Sequence, residues 1–117
     1  MDKKGYIDQL VEKSRIAQKL FEDFTQEQVD QVVKEAGKVV YDNAEELARM
    51  AVDETGMGRY EDKVGKNKGK SKTIWNSLRG KKTVGIIDRD ETTGIVKVAK
   101  PMGVIASVTP TTNPIVT

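Results

Sequence analysis

The sequence predicts an α/β protein built from N-terminal helices, a β-hairpin and the first strand of a parallel sheet. Three observations predict it. Apolar residues recur at three- and four-residue steps from Ile7 to Ala51, the repeat of helices with one buried face. β-branched runs at Val84–Ile87 and Ile95–Ala99 flank a turn-rich stretch. The run Val104-Ile-Ala-Ser-Val108 is bounded by turn residues, as expected of a strand covered on both faces.

The first helix spans 4–23, with Ile7, Leu10, Val11, Ser14, Ala17, Leu20 and Phe21 on one face and Lys, Glu, Asp and Gln on the other. A second helix starts at Thr25. Thr25 and Gln28 have capping-box spacing, and Phe24 and Val29 sit where a hydrophobic staple closes. Its apolar stripe is Val29, Val32, Val33, Ala36 and Val40. Asn43 with Glu46 repeats the N-cap signal for a third helix, which should bury Leu47, Met50 and Ala51 and stop at Gly56. Residues 59–80 predict a helix of uncertain extent, weakened by Gly65 and Gly69 and anchored by Ile74, Trp75 and Leu78. The five lysines from Lys63 to Lys72 are expected in solvent.

The hairpin then occupies 83–100, with Asp88-Arg-Asp-Glu-Thr-Thr-Gly94 as its turn. Pro101 and Gly103 break it. The buried strand at 104–108 leads into Thr109-Pro-Thr-Thr-Asn-Pro114, a loop by composition. A doubly covered parallel strand needs parallel neighbours and crossover helices. The chain is therefore expected to be the opening part of a larger α/β protein, or a partial copy of one. The organisation is a helical segment at 1–80, the hairpin, and a core strand with its loop at 104–117.

Composition excludes several chemistries. The chain has no cysteine and no histidine in 117 residues. It can form no disulfide and no thiolate or imidazole metal site. It can supply no Ser-His-Asp or Cys-His nucleophile. Charge is segregated although the net is only +2: residues 1–62 hold 9 basic and 15 acidic groups, and residues 63–82 hold 8 basic and none acidic. The N-terminus is polar and the longest apolar runs are far too short to span a bilayer.

Four segments invite a functional reading. Gly65-Lys-Asn-Lys-Gly69-Lys-Ser71 resembles a phosphate loop, but only three residues separate the glycines and no strand precedes them. The basic stretch 63–82 could touch nucleic acid, yet Trp75 is the lone stacking residue and the rest of the chain is not basic, so no nucleic-acid partner is expected. Asp53 and Glu54 are adjacent on a helix end and do not face each other across a substrate. The informative segment is Thr109–Pro114. It follows a buried strand, where open α/β sheets bind ligands. Two prolines stiffen it, and the Asn113 amide could donate to a reacting carbonyl, as an oxyanion site requires.

Lys100-Pro-Met-Gly-Val-Ile-Ala-Ser-Val-Thr-Pro-Thr-Thr-Asn-Pro-Ile-Val-Thr117 resembles the start of the cofactor-binding core of CoA-acylating aldehyde dehydrogenases. Phe24–Val29, Ala51–Gly58, Glu61–Lys63 and Thr83–Ile87 look like that family in the same order. The resemblance covers nearly the whole chain. It implies an incomplete, Rossmann-like aldehyde dehydrogenase cofactor domain. It further implies an oxidoreductase that converts a small aldehyde to acyl-CoA with NAD(P) as cofactor and CoA as co-substrate, through a cysteine thiohemiacetal and thioester. Asn113 matches the family's oxyanion-stabilising asparagine. Thr109, Pro110, Thr111 and Thr112 match the loop beside the nicotinamide and its ribose. The hairpin belongs to the family's oligomerisation region, so a homo-oligomer is implied.

The departure is the missing cysteine, without which this chain alone should not turn over aldehyde. With no apolar signal core or spanning run, a cytoplasmic protein is the expectation, and the resemblance adds bacterial microcompartments as a second location. An amphipathic first helix could act there as a packaging tag, but 4–23 looks like the family's own first helix with no extension before it. The alternative is a non-catalytic interaction fragment that pairs with full-length subunits through an exposed strand edge.

Overall fold

A computed structural model describes residues 2–117. The element order is α1 (Lys3–Phe21), α2 (Gln26–Asp42), α3 (Ala44–Thr55), α4 (Tyr60–Leu78), β1 (Gly85–Asp90) and β2 (Ile95–Ala99). No helix among the described residues is long and apolar enough to cross a membrane. The chain divides into two compact units, residues 1–29 with 82–106 and residues 30–81 with 107–117.

In the first unit, Asp2 caps α1 by accepting a hydrogen bond from the Gly5 amide at 2.6 Å. The apolar face read from the sequence is present but not covered: Leu20 is 67% exposed, and no α1 residue is fully buried. The capping box forms as the spacing predicts. The Thr25 amide donates to Gln28 Oε1 at 2.9 Å and the Gln28 amide to Thr25 Oγ1 at 3.3 Å. The Phe21 and Phe24 rings meet with centroids 5.1 Å apart.

The hairpin is antiparallel, with Gly85 opposite Ala99, Ile86 opposite Val98 and Asp88 opposite Lys97. Ile87 is the extra residue of a bulge between the last two of these pairs. The turn closes through the Gly94 amide on the Asp90 carbonyl at 2.8 Å. Gly94 has a φ of +70°, which costs a residue without Cβ little.

The strand expected at 104–108 is not formed in this chain. The segment has no ladder partner, and Ile105 and Val108 are 73% and 98% exposed. A parallel strand exists only through hydrogen bonds to its neighbours, and no other described strand lies parallel to it.

In the second unit, α3 packs on α4. The expected core of α3 shifts. Ala44, Ala48 and Ala51 are buried, Leu47 is half-buried, and Met50 is 57% exposed. Small side chains let the two helix backbones approach closely, so the alanine face becomes the interface. Asn43 does not cap α3 with its side chain. Its Nδ2 instead donates to the Val39 carbonyl at 2.8 Å and finishes α2. Gly56, as predicted, ends α3 in the left-handed conformation at φ +63°.

The uncertain region is one continuous helix, α4, and neither glycine interrupts it. Its buried residues are Lys63, Asn67 and Ser71. Their four-residue spacing puts a polar stripe on one inward face. Asn67 Nδ2 donates to the Ala44 carbonyl at 3.1 Å, and Ser71 Oγ donates to the Asn67 carbonyl at 2.7 Å.

Candidate functional site

The loop read as informative lies in the second unit, held by α4. Its backbone folds into consecutive turns. The Asn113 amide donates to the Pro110 carbonyl at 3.2 Å, and Thr117 Oγ1 donates to the Asn113 carbonyl at 2.6 Å. These bonds use the main chain of Asn113 and leave its side chain to other work. The carboxamide oxygen Oδ1 is buried without a hydrogen-bond partner among the described residues. A buried polar atom left unpaired costs about 1–3 kcal/mol, so its place asks for a partner outside these residues. Thr109, Pro110, Thr111 and Thr112 are exposed.

What holds the loop is Lys63. The sequence reading placed this lysine in solvent with its neighbours, and the structure buries it to 6% exposure. Its Nζ donates to the Thr112 carbonyl at 3.0 Å and to the Thr111 carbonyl at 3.4 Å. Lys66 Nζ adds a bond to the Thr112 carbonyl at 3.3 Å. An amino group this deep must be hydrogen-bonded, and the loop carbonyls supply the acceptors. The acidic neighbour Asp62 is engaged elsewhere. Arg59 Nε and Nη2 reach its two oxygens at 2.9 and 3.2 Å. The hydrogen bond from Arg59, and then its charge, hold the Asp62 carboxyl below the usual range. The signal for Lys63 was its spacing with Asn67 and Ser71, but lysine, asparagine and serine read as a solvated face.

The remaining candidates resolve without a site. Gly65–Ser71 lies inside α4, so its amides are spent on helix hydrogen bonds and cradle no phosphate. Asp53 and Glu54 lie in the last turn of α3, both exposed. Lys68, in the basic stretch, reaches Glu45 of α3 at 3.5 Å.

The chain is thus an α/β chain of four helices and a hairpin, and its second unit carries a loop of hydroxyls pinned by Lys63 with one unpaired carboxamide oxygen. The pattern of the aldehyde dehydrogenase family matches residues 2–117, and the chain belongs to that family. It is 58% identical over 111 residues to the succinate-semialdehyde dehydrogenase (acetylating) of Clostridium kluyveri, covering 95% of this chain and 24% of that protein. It is 42% identical over 113 residues to the sulfoacetaldehyde dehydrogenase (acylating) of Bilophila wadsworthia, again covering 95% of this chain and 24% of the relative. Among solved structures, the acetylating aldehyde dehydrogenase of Geobacillus thermoglucosidasius superposes with a TM-score of 0.72 at 40% identity, over 75% of this chain and 20% of that one. The chain thus spans about a quarter of the length of these curated relatives and matches their N-terminal part.

Proposed function

We propose that this chain serves as the N-terminal portion of a CoA-acylating, NAD(P)-dependent aldehyde dehydrogenase that converts a small aldehyde to its acyl-CoA. The observation that carries this reading is the similarity to acylating relatives along 95% of the chain. The loop chemistry supports it. Thr109, Pro110, Thr111 and Thr112 form an exposed hydroxyl-bearing edge, suited to a nicotinamide and its ribose. The Asn113 carboxamide is suited to donate Nδ2 to the aldehyde oxygen, and its buried Oδ1, without a hydrogen-bond partner among the described residues, can accept a donor that orients it.

NAD(P), when bound, supplies the hydride acceptor. The residues of this chain orient and stabilise. The loop holds one edge of the ring pocket, and orientation of reacting groups is a large share of such a barrier. Asn113 stabilises the oxygen as it gains charge, which a fixed donor does without reorganising. The chain contains no cysteine, so the thiol that attacks the aldehyde comes from sequence outside these residues. CoA is the co-substrate that takes the acyl group. The same reading makes the enzyme a homo-oligomer through the hairpin, which leaves Ile86, Ile95, Val96 and Val98 exposed. It also assigns it to the cytoplasm or a bacterial microcompartment.

The test is Asn113→Ala in the whole enzyme. Acyl-CoA formation should fall by roughly 10²-fold or more, the cost of losing one oxyanion donor. An unchanged rate would sink the assignment.

A further inference from the structure

We propose that Lys63 is a positioning residue that sets the conformation of the Thr111–Asn113 turn and, through it, the aim of the Asn113 carboxamide. The proposal rests on the role given to Asn113 above and extends it to a residue on a different element.

The geometry is that of a tether. Lys63 begins on the first turn of α4, 48 residues before the carbonyl of Thr111. Its side chain is buried, and its amino group ends on two successive loop carbonyls. Two carbonyls drawn to one donor fix the direction of the peptide planes between them. The next residue is Asn113, whose amide turns back to Pro110. Thr111 and Thr112 are exposed although their carbonyls are held on Lys63, and Asn113 Oδ1, one residue on, is buried.

A second element shapes the channel for this side chain. After α3 the chain passes through Gly56, Met57 and Gly58, with Gly56 and Gly58 at φ +63° and +80°. A Cβ on Gly58 would lie 2.9 Å from Lys63 Cε, inside any real contact. Gly58 is favoured by its left-handed backbone conformation, and the end of the Lys63 side chain packs beside it. The Lys63 side chain passes beside Gly58 on its way to the loop carbonyls. No carboxylate pairs with Lys63 among the described residues, so the loop carbonyls are its hydrogen-bond partners.

The experiment uses the whole enzyme and the variant Lys63→Met, which keeps the length of the stem and removes the donors. Two readouts are taken. Hydrogen–deuterium exchange of residues 111–117 should speed up, and kcat should fall by roughly 10- to 10²-fold, the scale of a misplaced catalytic group. In the double variant Lys63→Met/Asn113→Ala, the loss should be no greater than for Asn113→Ala alone, because both changes remove the same donor from its place. Unchanged loop exchange overturns the proposal. So does a kcat loss that multiplies with that of Asn113→Ala, since Lys63 would then act elsewhere. Should Lys63→Met fail to fold, Lys63→Leu removes the same donors and should loosen the same amides; a loop as protected as in the wild type would overturn the proposal as well. If Asn113→Ala by itself costs nothing, the functional reading fails, while loop exchange still decides whether Lys63 holds the turn.

Discussion

Gln26 grips Thr83 with both ends of its carboxamide. Its Oε1 accepts from the Thr83 amide at 2.7 Å, and its Nε2 donates to Thr83 Oγ1 at 2.9 Å. The same oxygen also accepts from the Val84 amide at 3.0 Å. These residues are 57 and 58 positions apart, so the first turn of α2 is fastened to the segment leading into β1. Gln26→Ala should strip partners from two amides at once. We expect a loss of about 1–2 kcal/mol, read as a lower urea midpoint with an unchanged slope.

The alanine face of α3 makes a second prediction. Ala48 is fully buried between α3 and α4 neighbours. Ala48→Leu adds volume where the helices are closest, and should cost about 1–3 kcal/mol. A thermal melt of the variant checks this, and a stability equal to wild type would contradict the close packing.

Asn67 carries the third. Its Nδ2 satisfies the buried Ala44 carbonyl. Asn67→Ala removes that buried bond, leaving the carbonyl with the helix bond of α3 alone, and should cost about 0.5–1.5 kcal/mol. Chemical denaturation measures it, and Asn67→Gln should not restore the loss, because the longer side chain overfills the site.

The hairpin should weaken in acid. Asp90 is held below the usual carboxyl range by the Thr93 hydroxyl first, and then by the Thr93 and Thr92 amides. Asp88 is held low by its hydrogen bond to Lys97, with the ion pair at 2.9 Å. A depressed folded-state value means that the folded chain holds the proton less tightly than the unfolded one. The support is therefore complete above the ordinary aspartate value of about 4, and is lost as pH falls through the lower folded value. Amide exchange at Thr92 and Thr93 should rise as pH drops through that window, after correction for intrinsic rates, and Asp90→Asn should flatten the response.

Local signals in the sequence carried through wherever one residue dictates its own surroundings. The capping box at Thr25 and Gln28, the stop at Gly56, the hairpin and the loop at 109–114 all appear where the residues pointed. The hairpin turn, however, is shorter than Asp88–Gly94, because Asp88, Arg89 and Asp90 pair with Lys97, Val96 and Ile95 and extend β1. Each depends on spacing within a few positions or on a conformation only glycine adopts easily. The family was legible too, through the resemblance of Lys100–Thr117 and of the segments before it, and the family pattern matches residues 2–117.

Tertiary structure decided what faces what. Periodicity named Met50 as core, but close approach of α4 selected Ala44, Ala48 and Ala51. Two glycines argued against α4, and packing of its polar stripe formed it in full. An apolar run at 104–108 read as a strand, and without a parallel neighbour it pairs with nothing. Lys63 is the plainest case. Among five lysines its charge predicts solvent, and only the position of the Thr111 and Thr112 carbonyls turns it inward. Sequence fixes which donors and acceptors exist; the fold decides which of them meet, because a buried donor goes where its acceptors already are.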